Sequence, residues 1–409
     1  MYGLQSNVLQ HRYFNAQEHT DVKSVEIITP AEDVGRDTVS RFDMQFQAAA
    51  YAALQILDGK EIDCVYCDYH DDFVVRSTSD GRATYHFFQV KTKSKLNHQW
   101  NLAQIFAIKS RGQKSDEDSL KNVKSSFAGK LLQHGIIFDE ACTEVTLLSN
   151  VYFDDAVVTT VEELRGKTPT TKAAKFLSEN FSAIFAFEPV SEGQSAPEIL
   201  SKLSLWPAAS HIGRERNVFA SAARTAIHQY SEIDLNYYET EELANGLVDL
   251  VSRKSRKFLE GIAPADIAAE IGVGLDDLLE VLSISRSAYD TLRQGGDSNA
   301  LKQASVIQRW LKNAGARDEM IEYASQQKVN WDIWLRNARH VYSPLDLAIL
   351  LDAIDQIYAR WAQSGSGFPF LNSLIEEAKE NISIAKFNGI SRELLFGAVT
   401  SVAIRLFSR

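Results

Sequence analysis

Three polar side chains fall where a β-hairpin would bring them together. Asp80-Gly81 lies between two β-rich runs, Asp72–Arg76 and Thr84–Lys93, and Asp-Gly in that setting is the strongest short-range hairpin signal. If these two residues form the turn, paired positions sum to 161, so Asp72 faces Gln89. Side chains alternate along a strand, so Lys91 shares the face of Gln89 while Phe88 and Val90 point the other way. A carboxylate, an amide oxygen and an ammonium on one patch suit phosphodiester cleavage. The carboxylate of Asp72, the oxygen of Gln89 and the backbone carbonyl of Val90 are hard ligands for Mg²⁺ or Mn²⁺. Such an ion polarises the phosphate and acidifies a water, and Lys91 supplies a cation beside the developing charge. Asp68 or Asp71 could complete the metal shell, and Gln45 on the preceding helix could reach it.

The elements needed to hold this patch are legible around it. Apolar residues recur at helical spacing from Asp43 to Leu57, ending at Gly59. Ile62–Cys67 reads as a strand ahead of the hairpin. Helices are expected from about Leu102 to Ile108 and from Leu120 to Gln133, and Val145–Phe153 as a further strand. Beyond Val157 strand signals fade. Pro189–Pro197 reads as a linker or long loop. From about Gly213 onward nearly every segment is helical. The helix opened by Ser343-Pro344 carries Leu347, Leu350, Leu351, Ile354, Ile357, Tyr358 and Trp361 along one face.

The net charge of −11 argues at first against a nucleic-acid partner, but it is unevenly spread. Residues 82–130 hold ten Lys or Arg against three acids, a local +7 that leaves −18 for the rest. A basic island of this kind can take phosphates while the remainder avoids them. Lys93, Lys95, Lys109 and Arg111 are its candidate DNA contacts. Three cysteines suit a reducing cytoplasm rather than a disulfide framework. Cys64-x-x-Cys67 lies on one strand, so its thiols point to opposite faces and read as buried structural groups. The apolar run Leu394–Ile404 is too short to span a membrane. Asp266–Leu275 has the look of a helix-turn-helix opening. The next helix, however, begins with Asp276, Asp277 and Glu280, which would repel phosphates, so a turn of a helical bundle or a protein-binding surface is expected instead. His70 and His86 lie near the patch; His70, just ahead of the paired strand, could assist as a ligand, but both read first as surface histidines.

Taken together, these features resemble the Asp…(Glu/Gln)-x-Lys core of the restriction-endonuclease-like, or PD-(D/E)xK, superfamily. More narrowly, residues from about 36 to 155 resemble the double-stranded-DNA endonuclease domain of CD-NTase-associated, SAVED-bearing effectors of bacterial anti-phage systems. The elements that carry the resemblance are Met44-Gln45 with its Ala-rich helix face, Cys67-Asp68-x-x-x-Asp72, Phe87-Phe88-Gln89-Val90-Lys91-Thr92, Lys130-Leu131 and Leu147-Leu148-Ser149-Asn150-Val151-Tyr152-Phe153. It implies an α/β domain, a mixed sheet flanked by helices, followed by an all-α domain. The expected divisions are an arm at 1–35, an endonuclease domain at 36–205 and a helical assembly or partner-binding domain at 206–409. The implied function is Mg-dependent cleavage of double-stranded DNA, with an inactive DNA-binding or scaffold subunit as the alternative. The helical half resembles the arrangement in nucleases that pair with a HerA-like hexameric DNA-translocating ATPase. A homo-oligomer, a cytoplasmic location and a trigger from another chain are expected with it.

Overall fold

A computed structural model describes residues 34–59, 61–109, 112–186, 195–231, 233, 235–380, 384 and 386–407. Residues 1–33 of the expected arm at 1–35, most of the linker at Pro189–Pro197, and Arg111 lie outside the described residues. Helix α1 (Val34–Leu54) runs into a short 3₁₀ turn that Gly59 closes with φ +69. Glycine suits that left-handed position because it carries no Cβ. Strands β1 (Ile62–Tyr69), β2 (Asp71–Ser79) and β3 (Arg82–Lys91) follow as an antiparallel meander. β2 and β3 pair from Phe73↔Phe88 to Ser79↔Arg82, every pair summing to 161. The expected register therefore holds. Asp80 and Gly81 both adopt positive φ, as a type I′ turn requires.

Between β3 and the next strand the chain makes α2 (Leu102–Phe106), α3 (Glu117–Ser125) and α4 (Phe127–Ile137). The single helix expected from Leu120 to Gln133 is broken at Ser126. That residue ends α3 and caps α4, its hydroxyl accepting from Gly129 N at 3.0 Å. The break is tight: a Cβ at Gly129 would stand 2.0 Å from the carbonyl oxygen of Val123. β4 (Cys142–Ser149) then runs parallel to β3, so the whole hairpin-to-crossover unit ends beside Gln89 and Lys91. After α5 (Asp155–Arg165), α6 (Lys172–Glu179), α7 (Phe181–Phe185) and α8 (Ala196–Ser201), β5 (Leu203–Trp206) pairs parallel to β4.

The sequence reading missed β5 and a second strand. The region from Arg216 forms α9 (Arg216–Ser231), α10 (Tyr237–Ser255) and α11 (Ile267–Ile271), then yields β6 (Gly272–Val273), antiparallel to β1. This corrects the bundle turn expected there, and it means the helical half is not purely α. Gly272 is needed at this edge, because a Cβ would lie 2.4 Å from both Ala268 O and Cys64 Sγ. Seven helices follow among the described residues: α12 (Leu275–Val281), α13 (Arg286–Gln294), α14 (Ala300–Asn313), α15 (Asp318–Val341), α16 (Pro344–Ser364), α17 (Phe368–Lys379) and α18 (Arg392–Phe407). On α16, Leu347, Leu350, Ile354, Ile357 and Trp361 are buried as the stripe foretold. None of the described helices is long and apolar enough to cross a membrane.

The sheet order is β5-β4-β3-β2-β1-β6. One face presents Val65, Cys67, Phe73, Val75, Phe88, Val90 and Leu148, packed with Ala48–Leu54 of α1 and with helices from α9 onward. The opposite face presents Cys64, Val74, Phe87, Val145 and Leu147, covered by residues of α2 to α8 and by Ile271. Cys64 and Cys67 thus lie on opposite faces. All three cysteines are buried free thiols, and burial pushes Cys64 and Cys142 up to about 11.

Candidate active site

β2 and β3 part company at one end, and the polar patch lies there. The ladder stops at Phe73↔Phe88, so Asp72 stands one residue beyond the last paired position, opposite Gln89 by register. Asp72 is fixed by its own contacts instead. Its Oδ2 accepts from Val90 N at 2.6 Å, and its backbone N–H donates to Asp71 Oδ1 at 2.9 Å. Residues in an extended strand turn N–H and carbonyl to the same neighbour, so the Val90 carbonyl is directed to this same edge. Lys91 Nζ lies 3.9 Å from Asp72 Oδ2, and 4.8 Å above the ring of Phe127 at the start of α4. Asp72 and Lys91 therefore share a face, that of Val74 and Phe87, while Phe88 and Val90 join the other core.

Two features of this corner are energetically unfavourable as they stand. Gln89 is 8% exposed, and its Oε1 is buried without a hydrogen-bond partner. Leaving such an acceptor unmet costs about 1–3 kcal/mol. Burial is also the main cause that pushes the Asp72 carboxyl up to about 6. Lys91 and the Val90 N–H act against it, and Asp71 and Asp68 act with it. An unmet amide oxygen, on the residue opposite by register to a carboxylate that resists ionisation, suits the binding of a divalent cation. Among the described residues no group of three His, Cys, Asp or Glu is arranged to hold a metal. A cation here would draw its protein ligands from Asp72, the Gln89 amide and the Val90 carbonyl, a hard-oxygen set fitting Mg²⁺.

The raised Asp72 group makes a prediction about the metal-free protein. Its folded value lies above that of the unfolded chain, so its contribution to stability is complete below about pH 4 and is lost as pH rises through about 6. At about 1.4 kcal/mol per unit the loss approaches about 3 kcal/mol. Urea denaturation in EDTA at pH 4 and pH 7.5 should show Asp72→Asn gaining on the wild type by a large part of that. A stability difference that does not change with pH would contradict the buried-carboxylate account.

The other expected residues are distributed around this corner. Asp71 sits within it, its Oδ2 3.2 Å from His134 Nε2 on α4. Asp68 is exposed near the end of β1 with φ +52, and partial burial together with the charge of Asp71 holds its carboxyl above the usual range. Gln45 is half-buried on α1, whose later turns pack on the opposite sheet face. Among the described residues no hydrogen bond ties it to Asp72 or Gln89. Its neighbour Gln47 instead bridges Asp43 and Gly213. Lys93 Nζ donates to Gln99 O at 2.6 Å and Gln104 Oε1 at 3.1 Å, and lies 4.2 Å above Trp100, so this ammonium ties down its own loop. Lys95 and Lys109 are exposed. His70 is a left-handed turn residue (φ +64) whose ring meets Tyr69 and Phe138 edge-on. His86 is on the far face, bonded through Nε2 to Thr146 Oγ1 at 2.6 Å, and burial pushes it down to about 4.

Four residues to which the sequence reading gave no role in the site also shape the corner. Phe127 underlies Lys91 and His134 meets Asp71, both from α4, where spacings of four and seven share a face. That spacing, Phe127-Leu131-His134, was the available signal. Asn150 clamps the end of β3, accepting from Lys93 N at 2.9 Å and donating to Lys93 O at 3.0 Å. Ser149 accepts from Trp100 Nε1 at 2.9 Å.

The family model for the Cap4 dsDNA endonuclease domain matches residues 33–255, more than half of the chain. No curated protein matches it. Among solved structures, the Acinetobacter baumannii Cap4 SAVED/CARF-domain containing receptor with the cyclic trinucleotide 3'3'3'-cAAA is similar over 71% of this chain and 68% of its own, at 14% identity and a TM-score of 0.32. The Moraxella osloensis Cap4 SAVED/CARF-domain containing receptor is similar over 71% and 67%, at 12% identity and a TM-score of 0.34. TM-scores of this size do not establish a shared fold.

Proposed function

The chain belongs to the Cap4 dsDNA endonuclease domain family, and from that premise we propose that it is a metal-dependent double-stranded-DNA endonuclease of bacterial anti-phage defence. The observation that carries the metal-dependent reading is the corner of β2 and β3, where Gln89, its Oε1 unmet, stands opposite Asp72 by register, and the buried Asp72 carboxylate has Lys91 at 3.9 Å. A mixed sheet flanked by helices, with the acid, amide and lysine on its two adjoining strand ends, supports the restriction-endonuclease-like assignment.

In this reading Asp72, the Gln89 amide and the Val90 carbonyl hold Mg²⁺ or Mn²⁺, with Asp71, Asp68 and Gln45 in support. When bound, such a cation would supply Lewis acidity toward the phosphate and the attacking water. Lys91 is the group aimed at the charge that develops on the phosphate, and the Phe127 ring beneath it limits where its ammonium can go. The Val90 N–H keeps Asp72 Oδ2 turned toward β3 rather than toward solvent. Lys95, Lys109 and Arg111 take the DNA backbone, and Lys93 contributes through the loop it organises. The helical region at 206–409, which also lends β6 to the sheet, serves assembly. A duplex needs two cuts, which favours a homo-oligomer, and a HerA-like ATPase that feeds duplex to several subunits is the proposed partner.

One preparation tests both halves of the proposal. Purified protein, alone and co-expressed with a neighbouring ATPase, is sized by light scattering and then given plasmid with Mg²⁺ or with EDTA. The expected result is a particle larger than a monomer that degrades plasmid only with the metal. Equal cutting in EDTA would remove the metal, and a fully active monomer would remove control by assembly.

A further inference from the structure

His134 is the most enclosed titratable group beside the candidate centre that the mechanism above leaves unused. Its side chain is 12% exposed and that of its partner Asp71 is 6% exposed. The imidazole stacks flat on Phe87, ring centroids 4.5 Å apart and planes 9° apart, with Phe138 beside it. That stacking fixes the ring, so the direction of Nε2 is set by α4 and β3 rather than by Asp71. Nε2 meets Asp71 Oδ2 at 3.2 Å, while Nδ1 is buried with no partner. The chain of contacts continues from Asp71 Oδ1 to the backbone N–H of Asp72.

This chain matters because of where Asp72 stands. It lies past the last β2–β3 ladder pair and just after a turn with two non-glycine residues at positive φ, Asp68 and His70. Ladder pairing therefore does not fix its backbone from the β3 side, and the Asp71 carboxylate supplies that anchor. Asp71 in turn is a buried carboxylate beside Asp72 and Asp68, and without a donor from α4 it would be free to turn away from like charge.

We propose that His134 is a positioning residue of the centre: it clamps Asp71, which holds the Asp72 backbone, and so sets the affinity for the divalent cation. The inference rests on the reading of Asp72 and Gln89 as metal ligands. Groups that orient ligands without touching the metal commonly change affinity by about 10–100-fold.

The test uses the full chain and Mn²⁺ alone as probe, by calorimetry without DNA. His134→Phe keeps the stack on Phe87 but removes the donor, whereas His134→Gln retains a donor nitrogen at about the reach of Nε2. The phenylalanine variant should bind Mn²⁺ about 10–100-fold more weakly, and the glutamine variant should recover most of that loss. In cleavage assays the half-saturating Mn²⁺ concentration should rise with little change in the rate at saturation. In an Asp71→Asn background His134→Phe should add little, because the two act in series. Wild-type affinity in the phenylalanine variant, no recovery by glutamine, or fully multiplicative losses would overturn the inference while leaving the centre intact. If phenylalanine prevents folding, His134→Asn, whose amide stops short of Asp71, must show the loss. A wild type that binds no Mn²⁺, or binds it as well after Asp72→Ala, would overturn the centre itself and this inference with it.

Discussion

Lys91→Met is expected to lower the rate of DNA cleavage by about a hundred- to a thousand-fold while the protein folds normally. Methionine keeps the unbranched stem over the Phe127 ring and removes the charge, so the comparison isolates the ammonium. The size follows from what one donor aimed at developing charge is worth in a partly dry site, about 10²–10³ in rate. A structural role predicts otherwise. The Lys91–Asp72 separation is 3.9 Å, at the outer limit of an ion pair, and Asp72 can take up a proton when the ammonium is lost, so the substitution strands no buried charge. Losing the ammonium should also make Asp72 harder to ionise, since Lys91 is the chief influence holding that carboxyl down. The variant should therefore need higher pH or more Mg²⁺ to reach its own maximum, and should remain far below the wild type at any Mg²⁺ concentration. Plasmid nicking followed over a Mg²⁺ series gives both quantities. A variant that reaches the wild-type rate at high Mg²⁺ would mean that Lys91 only tunes Asp72.

The hairpin that carries this site was legible because its turn chemistry is local. Asp80 and Gly81 take the two positive-φ positions of a turn that few other dipeptides tolerate, and the period of two then fixes every pair up to Phe73↔Phe88. From those few residues came the face shared by Asp72 and Lys91. What escaped notice depends on contacts remote in sequence. β6 is two residues long and is a strand only because β1 offers it an edge; its sequence, Gly272-Val273, carries no alternation to detect. β5 is four residues long and sits beside β4 for the same reason. The break at Ser126 is a contest between helix continuation and two caps on one residue, which periodicity does not resolve. Lys93 read as a phosphate contact from charge alone. Its ammonium is engaged by Gln99, Gln104 and Trp100, partners that the sequence gives no reason to choose over solvent. His134 lies 62 residues from Asp72 and becomes relevant only because α4 crosses the face on which the hairpin ends.

Gln89→Met separates folding from function in opposite directions. Gln89 is nearly fully buried and its Oε1 meets no donor, so in the metal-free protein it carries a desolvation cost with nothing set against it. Methionine has almost the same length and volume and no acceptor to satisfy. In EDTA the variant should be more stable than the wild type by about 1–2 kcal/mol, seen as a higher urea midpoint with an unchanged slope. Added Mg²⁺ should reverse the order. The wild type gains RT ln(1 + [Mg²⁺]/Kd), about 2.7 kcal/mol at a hundred times Kd, whereas the variant has lost one of three protein ligands and gains little. Cleavage should fall by more than the roughly 10–100-fold typical of partners outside the metal's own shell. Natural chains rarely keep an unmet buried acceptor that a methionine would relieve unless the acceptor is used. If Gln89→Met is less stable than the wild type in EDTA, the amide is already satisfied in solution and Gln89 is a structural residue. If it is more stable yet cuts as fast, the orphan oxygen has no part in the centre, and the cation must be held by Asp72 with other partners.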